Sequence, residues 1–322
     1  MNNHKAFTIV ELITVVTIIA LLLGILLPSI SMVRTKAKET AQKAQFATID
    51  MALDAFKQDF GDYPQSNLNQ PPTPPNYCGA QELAEALVGW DLMGFHPKTA
   101  WRADGYSDAS NGNASYDPGK TRLDASGVPI TYSERKGPYL EVATANAFKL
   151  GDLFNFSAYS PANPLAPNTF VLCDVFRVRK LTNSTGKPVI AGAPILYYKA
   201  NTSSKTIDPS IILPPNLNNR IYDYRHNDPL IRLQKLTANG NPGLMHPLGY
   251  SVGNDYPVFY STKYPDSPPY IPTPPYGGSG IGYGIRDPKV TTNVWPYRPD
   301  SYILISAGPD GLYGTADDIH NY

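Results

Sequence analysis

The sequence predicts an α+β protein: one long N-terminal membrane-spanning helix, followed by a β-rich, loop-rich globular region. Three observations predict it. Residues 7–27 form an almost wholly apolar run, and an apolar spacing of helical period continues to residue 60. The chain also carries 32 Pro, 25 Gly and 22 Tyr, with short Val-, Ile- and Tyr-rich runs bounded by turn residues after that point. At 322 residues it is long enough for about two domains. Lys and Arg total 27 and Asp and Glu total 27, so no net positive charge invites a nucleic-acid backbone. Hydrophobic residues at 42% suffice for a packed core and argue against wholesale disorder.

The first element is a six-residue head, MNNHKA, whose side-chain cations are His4 and Lys5. The run from Phe7 to Leu27, FTIVELITVVTIIALLLGILL, follows it. About twenty helical residues at 1.5 Å each span a hydrocarbon core of ~30 Å. A secretory signal would end at a small-residue cleavage site, whereas this run passes through Pro28 into further helical pattern. The apolar segment is therefore expected to be retained. Glu11 is its one charge. A carboxylate at the bilayer centre costs roughly 2.5–3.5 kcal/mol, less at a helix start, and asks for a cationic partner.

Past Pro28, small or apolar residues recur at Val33, Ala37, Ala41, Ala44, Thr48, Ala52, Phe56 and Phe60, with Ile49 and Leu53 widening the stripe. Gly61 is the expected C-cap and Pro64 forbids extension. A helix over residues 7–60 would be about 80 Å long. Its second half can pack on a globular region, while its first half needs lipid or copies of itself. Pro28 removes one backbone hydrogen bond and is expected to loosen or kink it.

The stretch Ala6-Phe7-Thr8-Ile9-Val10-Glu11-Leu12 resembles the cleavage and methylation motif of type IV prepilins, shared by type IV pilins and type II secretion pseudopilins. That resemblance implies a cut between Ala6 and Phe7 by a membrane prepilin peptidase and methylation of the new amine. It implies that Glu11 neutralises that amine on a neighbouring subunit. Pro28 stands at the mature position where family members often carry a helix-loosening proline, and Ala6 stands where the family prefers Gly. The physics agrees, since a buried unpaired charge is strongly penalised. The implied partners are further copies of the chain and other pilin-like subunits, the peptidase and an inner-membrane assembly platform. The implied location is a bacterial inner membrane, single-pass, with the globular region in the periplasm.

Residues 61–322 read as an extracytoplasmic β-rich domain, in which Tyr rings are expected to cover ordered loops and keep a wet hydroxyl edge. A short helix is expected over Ala80 to Leu92, and strands at Tyr139–Val142, Thr169–Val178, Ile195–Lys199, Val258–Ser261 and Tyr302–Ser306. Outside the cytoplasm a disulfide between Cys78 and Cys173 is permitted, with two buried free thiols the equal alternative. The densest polar group, residues 222–228 (YDYRHND), reads as a solvated loop, with a binding patch the alternative.

The C-terminal segment 306–319, SAGPDGLYGTADDI, gathers three glycines and three carboxylates on a short loop. Hard cations take carboxylate and carbonyl oxygens together, although the spacing does not fit an EF-hand. The segment is similar to the calcium loop of the major type II pseudopilin. That likeness implies side-chain ligands Asp310 and Asp317, carbonyl ligands Ala307 and Leu312, and Asp318 as an extra ligand. The alternative is a metal-free turn whose acids cap amides. No HExxH, GxSxG or phosphate-loop motif occurs, and the expectation is a structural subunit, not an enzyme. A type II pseudopilus subunit leads. The alternatives are a minor type IV pilin and a membrane-tethered module that binds a polysaccharide or protein.

Overall fold

The computed structural model describes residues 8–67, 77–103, 105, 116, 134–154, 165–176, 179–182, 188–205, 220–233, 246–249, 259–260, 284–292, 295–315 and 317–322. The chain divides into two compact units, residues 1–41 and 42–322. One helix, α1, runs from Ile9 to Phe60 over 52 residues and contributes to both. It continues through position 28 without a break, so the N–H that Pro28 lacks does not end it. It stops where expected: Gly61 takes φ 83° and donates its N–H to the Lys57 carbonyl at 2.7 Å.

Among the described residues of the first unit, α1 buries no side chain. From Ile9 to Leu27 every large apolar side chain is between 47% and 77% exposed. Full burial of such a side chain is worth roughly 1.5–3 kcal/mol. Even half of that, summed over this stretch, exceeds ~10 kcal/mol and rivals the stability of a whole domain. An apolar surface of this size demands a membrane or other subunits around it.

In the second unit the last third of α1 becomes a core helix. Phe46, Ile49, Ala52, Leu53 and Phe56 are buried, and so is the polar Gln42. The expected stripe is thus partly mistaken: Ala44 and Thr48 are exposed. The buried face is rotated because Gln42 and Gln45 act in it as polar pins. Gln42 Oε1 accepts the Val175 N–H at 2.9 Å, and Gln45 Nε2 donates to the Cys173 carbonyl at 2.9 Å.

A second helix, α2, spans Gly79–Val88 and every one of its residues is buried. It ends short of the expected Leu92 because Gly89 turns at φ 92°, where a side chain would strike the Gly94 carbonyl oxygen. Three antiparallel sheets follow. β1 (Ala147–Lys149) pairs with β2 (Phe170–Leu172), and β3 (Arg179–Thr182) with β4 (Pro188–Ala191). The third sheet orders β5 (Leu196–Lys199), β6 (Tyr302–Ser306) and β7 (Ile319–His320). Two four-residue α-helices, α3 (Leu150–Leu153) and α4 (Asp228–Ile231), and two 3-10 helices, Tyr224–His226 and Pro247–Gly249, complete the described elements.

β6 fills the expected strand and β5 falls one residue short of it. β2 occupies only the start of the expected Thr169–Val178 strand, and Cys173 continues as an isolated bridge to Pro194. Residues 139–142 form turns, because the Tyr139 and Leu140 N–H groups both donate to the Leu87 carbonyl and close the end of α2. Phe259 and Tyr260 lie in a turn, while the other two residues of that expected strand lie outside the described residues.

The third sheet is buried on both faces. Ile303 and Ile305 on β6, with Leu196 and Tyr198 on β5, enter one core cluster. Tyr302, Leu304 and Tyr197 alternate onto the other face, against Phe46, Ile49, Leu53 and Phe56 of α1 and Leu83 and Leu87 of α2. The α+β expectation holds: a long apolar helix precedes a globular part of small antiparallel sheets and loops. The expected role of tyrosine does not. Tyr77, Tyr116, Tyr197, Tyr198, Tyr222, Tyr302 and Tyr313 are among the largest fully buried side chains. Their hydroxyls tie separate segments: Tyr197 donates to the Pro64 carbonyl at 2.6 Å, Tyr302 to Asp50 at 2.7 Å and Tyr313 to the Pro194 carbonyl.

Candidate functional site

Thr8 and Glu11 form a reciprocal cap at the start of α1. The Glu11 N–H donates to Thr8 Oγ1 at 3.2 Å, and the Thr8 N–H donates to Glu11 Oε2 at 2.9 Å. The Thr8 hydroxyl adds a third bond to Glu11 Oε2 at 2.7 Å. This is the T-x-x-E capping box, readable from the sequence but not used in reading it. It holds the carboxylate beside the first helical amides, the end of the helix where negative charge is favoured. Ala6 and Phe7 lie outside the described residues. Glu11 is exposed in the isolated chain.

The C-terminal loop joins β6 to β7. Gly308, Gly311 and Gly314 all take positive φ, between 63° and 89°. At Gly308 a side chain would meet the Asp317 carbonyl oxygen at 2.2 Å, so only glycine fits. The loop acids serve amides. Asp317 Oδ2 accepts the Asp310 N–H at 2.9 Å, Asp310 Oδ1 accepts the Leu312 N–H at 2.7 Å, and Asp318 Oδ2 accepts the Gly314 N–H at 2.6 Å. Thr315 Oγ1 bridges Asp317 and Asp318 and reaches the Leu312 carbonyl at 3.1 Å. Burial, with Asp317 and Asp310 nearby, holds the Asp318 carboxyl well above the usual range. Ala307 is wholly buried. Among the described residues no three His, Cys, Asp or Glu side chains are grouped to hold a metal ion.

Cys78 and Cys173 are separate buried thiols, so the free-thiol alternative describes this structure and the bridge is not formed. They belong to the same core cluster. Burial pushes the Cys78 thiol up to about 12 and raises Cys173 as well, which leaves both unreactive. Trp90 stacks on Tyr116, Trp101 packs on Phe95 and Trp295 packs against the core, so the three indoles are packing residues.

The segment 222–228 corrects another expectation. It is anchored in the core, not solvated: Tyr222 and Asn227 are wholly buried. Asn227 accepts the Ala80 N–H at 2.8 Å through Oδ1 and donates to the Tyr197 carbonyl at 2.7 Å through Nδ2. It thereby ties α2 to β5.

Sequence reasoning also missed a buried acid pair. Glu82 and Glu85 sit one turn apart on α2, 0% and 1% exposed. Gln65 Nε2 donates to Glu82 at 2.9 Å; Thr99 and Tyr116 hydroxyls donate to Glu85 at 2.5 and 3.0 Å. Each acid keeps one oxygen, Oε2, without a partner. Burial raises Glu82 well above its ordinary value and Glu85 to about 7.

Residues 1–27 match the prokaryotic N-terminal methylation motif, the signature of type IV pilins and pseudopilins. No curated protein and no solved structure matches the chain. The motif supports a type IV pilin-like subunit processed by prepilin peptidase, and the exposed apolar helix fits a single-pass membrane anchor.

Proposed function

We propose that this pilin-like chain is a structural subunit of a type II secretion pseudopilus, cut before Phe7, methylated there, and assembled through α1. The observation that carries the proposal is Glu11. It is the one carboxylate in an otherwise apolar, wholly exposed helical segment, inside the motif-matching region. In lipid such a charge is retained where a cation meets it, and a freshly cut amine on an adjacent subunit is that cation. The globular unit then faces the periplasm and works as structure, without catalysis. A minor type IV pilin is the alternative assembly with the same N-terminal chemistry.

The test is Glu11→Ala in the native cell. The variant should insert into the inner membrane normally and fail to enter filaments, read by cross-linking and shear-released filament yield. Unchanged filament yield would overturn the proposal. Pseudopilus and pilus separate by phenotype: deletion should abolish export of secreted proteins while leaving surface pili in place.

A calcium ion at residues 307–318 belongs to the same reading. Carboxylate and carbonyl oxygens are the donors a hard cation takes, and the loop carries Asp310, Asp317 and Asp318. Binding would require these acids to leave the amides they now cap. Excess calcium should raise the melting temperature of the full chain in detergent relative to chelator, and superimposed melting curves would reject the ion.

A further inference from the structure

A cleft of about 750 Å³ opens on the globular unit between three segments, residues 62–67, 199–202 and 220–226. Its size is that of a site for a small ligand or a few sugar rings. Its walls belong to residues 42–322 alone, so it is independent of the N-terminal chemistry.

The walls are held from behind. The Tyr197 hydroxyl fixes the Pro64 carbonyl, and Ser66 Oγ accepts the Lys199 N–H at 2.7 Å. The Asn201 N–H donates to the Ile221 carbonyl at 2.7 Å, joining the second and third segments. Ser66 Oγ also lies 3.0 Å from His226 Nδ1. That hydroxyl accepts from Lys199 and keeps its own proton and a second lone pair for the imidazole. Burial pushes the His226 imidazole down to about 4, so the ring is neutral near pH 7.

Three cations and two carboxylates line the cleft, and both carboxylates are paired. Lys199 Nζ pairs with Asp62 Oδ2 at 2.5 Å, and Arg225 Nε lies 2.9 Å from both Asp223 oxygens. Arg220, buried at 5% exposure, lies over the Tyr260 ring at 4.9 Å. Acceptors and donors therefore both line the opening, and the amides of Gln65, Asn67 and Asn201, already bonded to Glu82, Gln65 and the Ser203 N–H, add further polar atoms. A phosphate or sulfate would meet Asp62 and Asp223 beside the three cations, and an apolar ligand would strand these polar groups. A hydroxyl both donates and accepts, so a ring carrying several hydroxyls is the ligand that satisfies such a wall.

We propose that the cleft between residues 62–67, 199–202 and 220–226 is a carbohydrate-binding site for hydroxyl-rich sugar rings. A filament subunit carrying it would hold a saccharide of a cell surface or matrix against its globular unit.

The test is calorimetric titration of the full chain in detergent with four probes: a neutral hexose tetrasaccharide, an N-acetylhexosamine tetrasaccharide, a tetragalacturonate and inorganic phosphate. At least one saccharide should bind with a Kd of about 1 mM or tighter. Asn201→Ala and Asp223→Asn should each weaken it about tenfold. Preference for the uronate or for a neutral arm identifies the source within the same class. Asn201 is exposed, so its variant keeps the test valid even where Asp223→Asn fails to fold. Near-UV circular dichroism verifies that the tested variants are folded. No saccharide binding at about 1 mM, phosphate binding as tightly as any sugar, or affinity unchanged by Asn201→Ala would each overturn the proposal.

Discussion

Replacing Glu85 by Gln isolates the cost of ionising a buried acid in α2. Glu85 is 1% exposed, and burial raises its pKa from an ordinary 4.5 to about 7. The folded chain therefore holds a proton that the unfolded chain releases between those pH values. Stability from this group is fully present below about 4.5 and lost as pH rises through about 7. At 1.36 kcal/mol per pH unit, the interval is worth roughly 3 kcal/mol. Gln keeps the shape of the protonated acid and cannot ionise. Wild type and Glu85→Gln should melt together near pH 4. At pH 8 the variant should melt about 6–12 °C higher, at roughly 2–4 °C per kcal/mol for a protein of this size. Calorimetry of the full chain in detergent, every half unit from pH 4 to 8, reads the difference. His226 titrates in the opposite sense, its folded value lying near 4, but it contributes equally to both proteins and cancels. A melting offset that stays constant with pH would refute the reasoning.

Two further perturbations probe the globular unit. Asn227→Ala strands the buried Ala80 N–H and the Tyr197 carbonyl that the amide now satisfies. A loss of about 2–4 kcal/mol in a urea melt is expected, and a loss under about 1 kcal/mol would show that water replaces the side chain. Gly308→Ala places a Cβ 2.2 Å from the Asp317 carbonyl at a φ of 63°. It should destabilise the chain by at least ~1 kcal/mol, and unchanged stability would mean that the turn relaxes freely.

The parts of the fold legible beforehand are those with a strong one-dimensional pattern. Length and apolarity announced α1, glycine and proline marked its end, and the Ile- and Tyr-rich run of β6 announced a strand. The T-x-x-E cap at Thr8 and Glu11 was equally open to view, although the carboxylate was read only as a charge needing a partner. What stayed hidden depends on tertiary neighbours. Counting apolar residues on α1 selects Ala44 and Thr48 and passes over Gln42, which is buried because the Val175 amide needs an acceptor. The sequence of α2, GAQELAEALV, reads as a helix and says nothing of what covers its acids. Burial of Glu82 and Glu85 follows from the segments carrying Gln65, Thr99 and Tyr116. The cleft joins residues 62–67 to two stretches more than a hundred residues further along the chain, and no local spacing reveals it.

The assembly account depends on an amine that exists only after the first six residues are removed. Intact-mass and N-terminal peptide spectrometry of the chain from native membranes measures this directly. The account predicts a mature protein beginning at Phe7 with one methyl group on its amine. A chain that still begins with Met1, or one whose Phe7 amine is absent or unmodified, would contradict it.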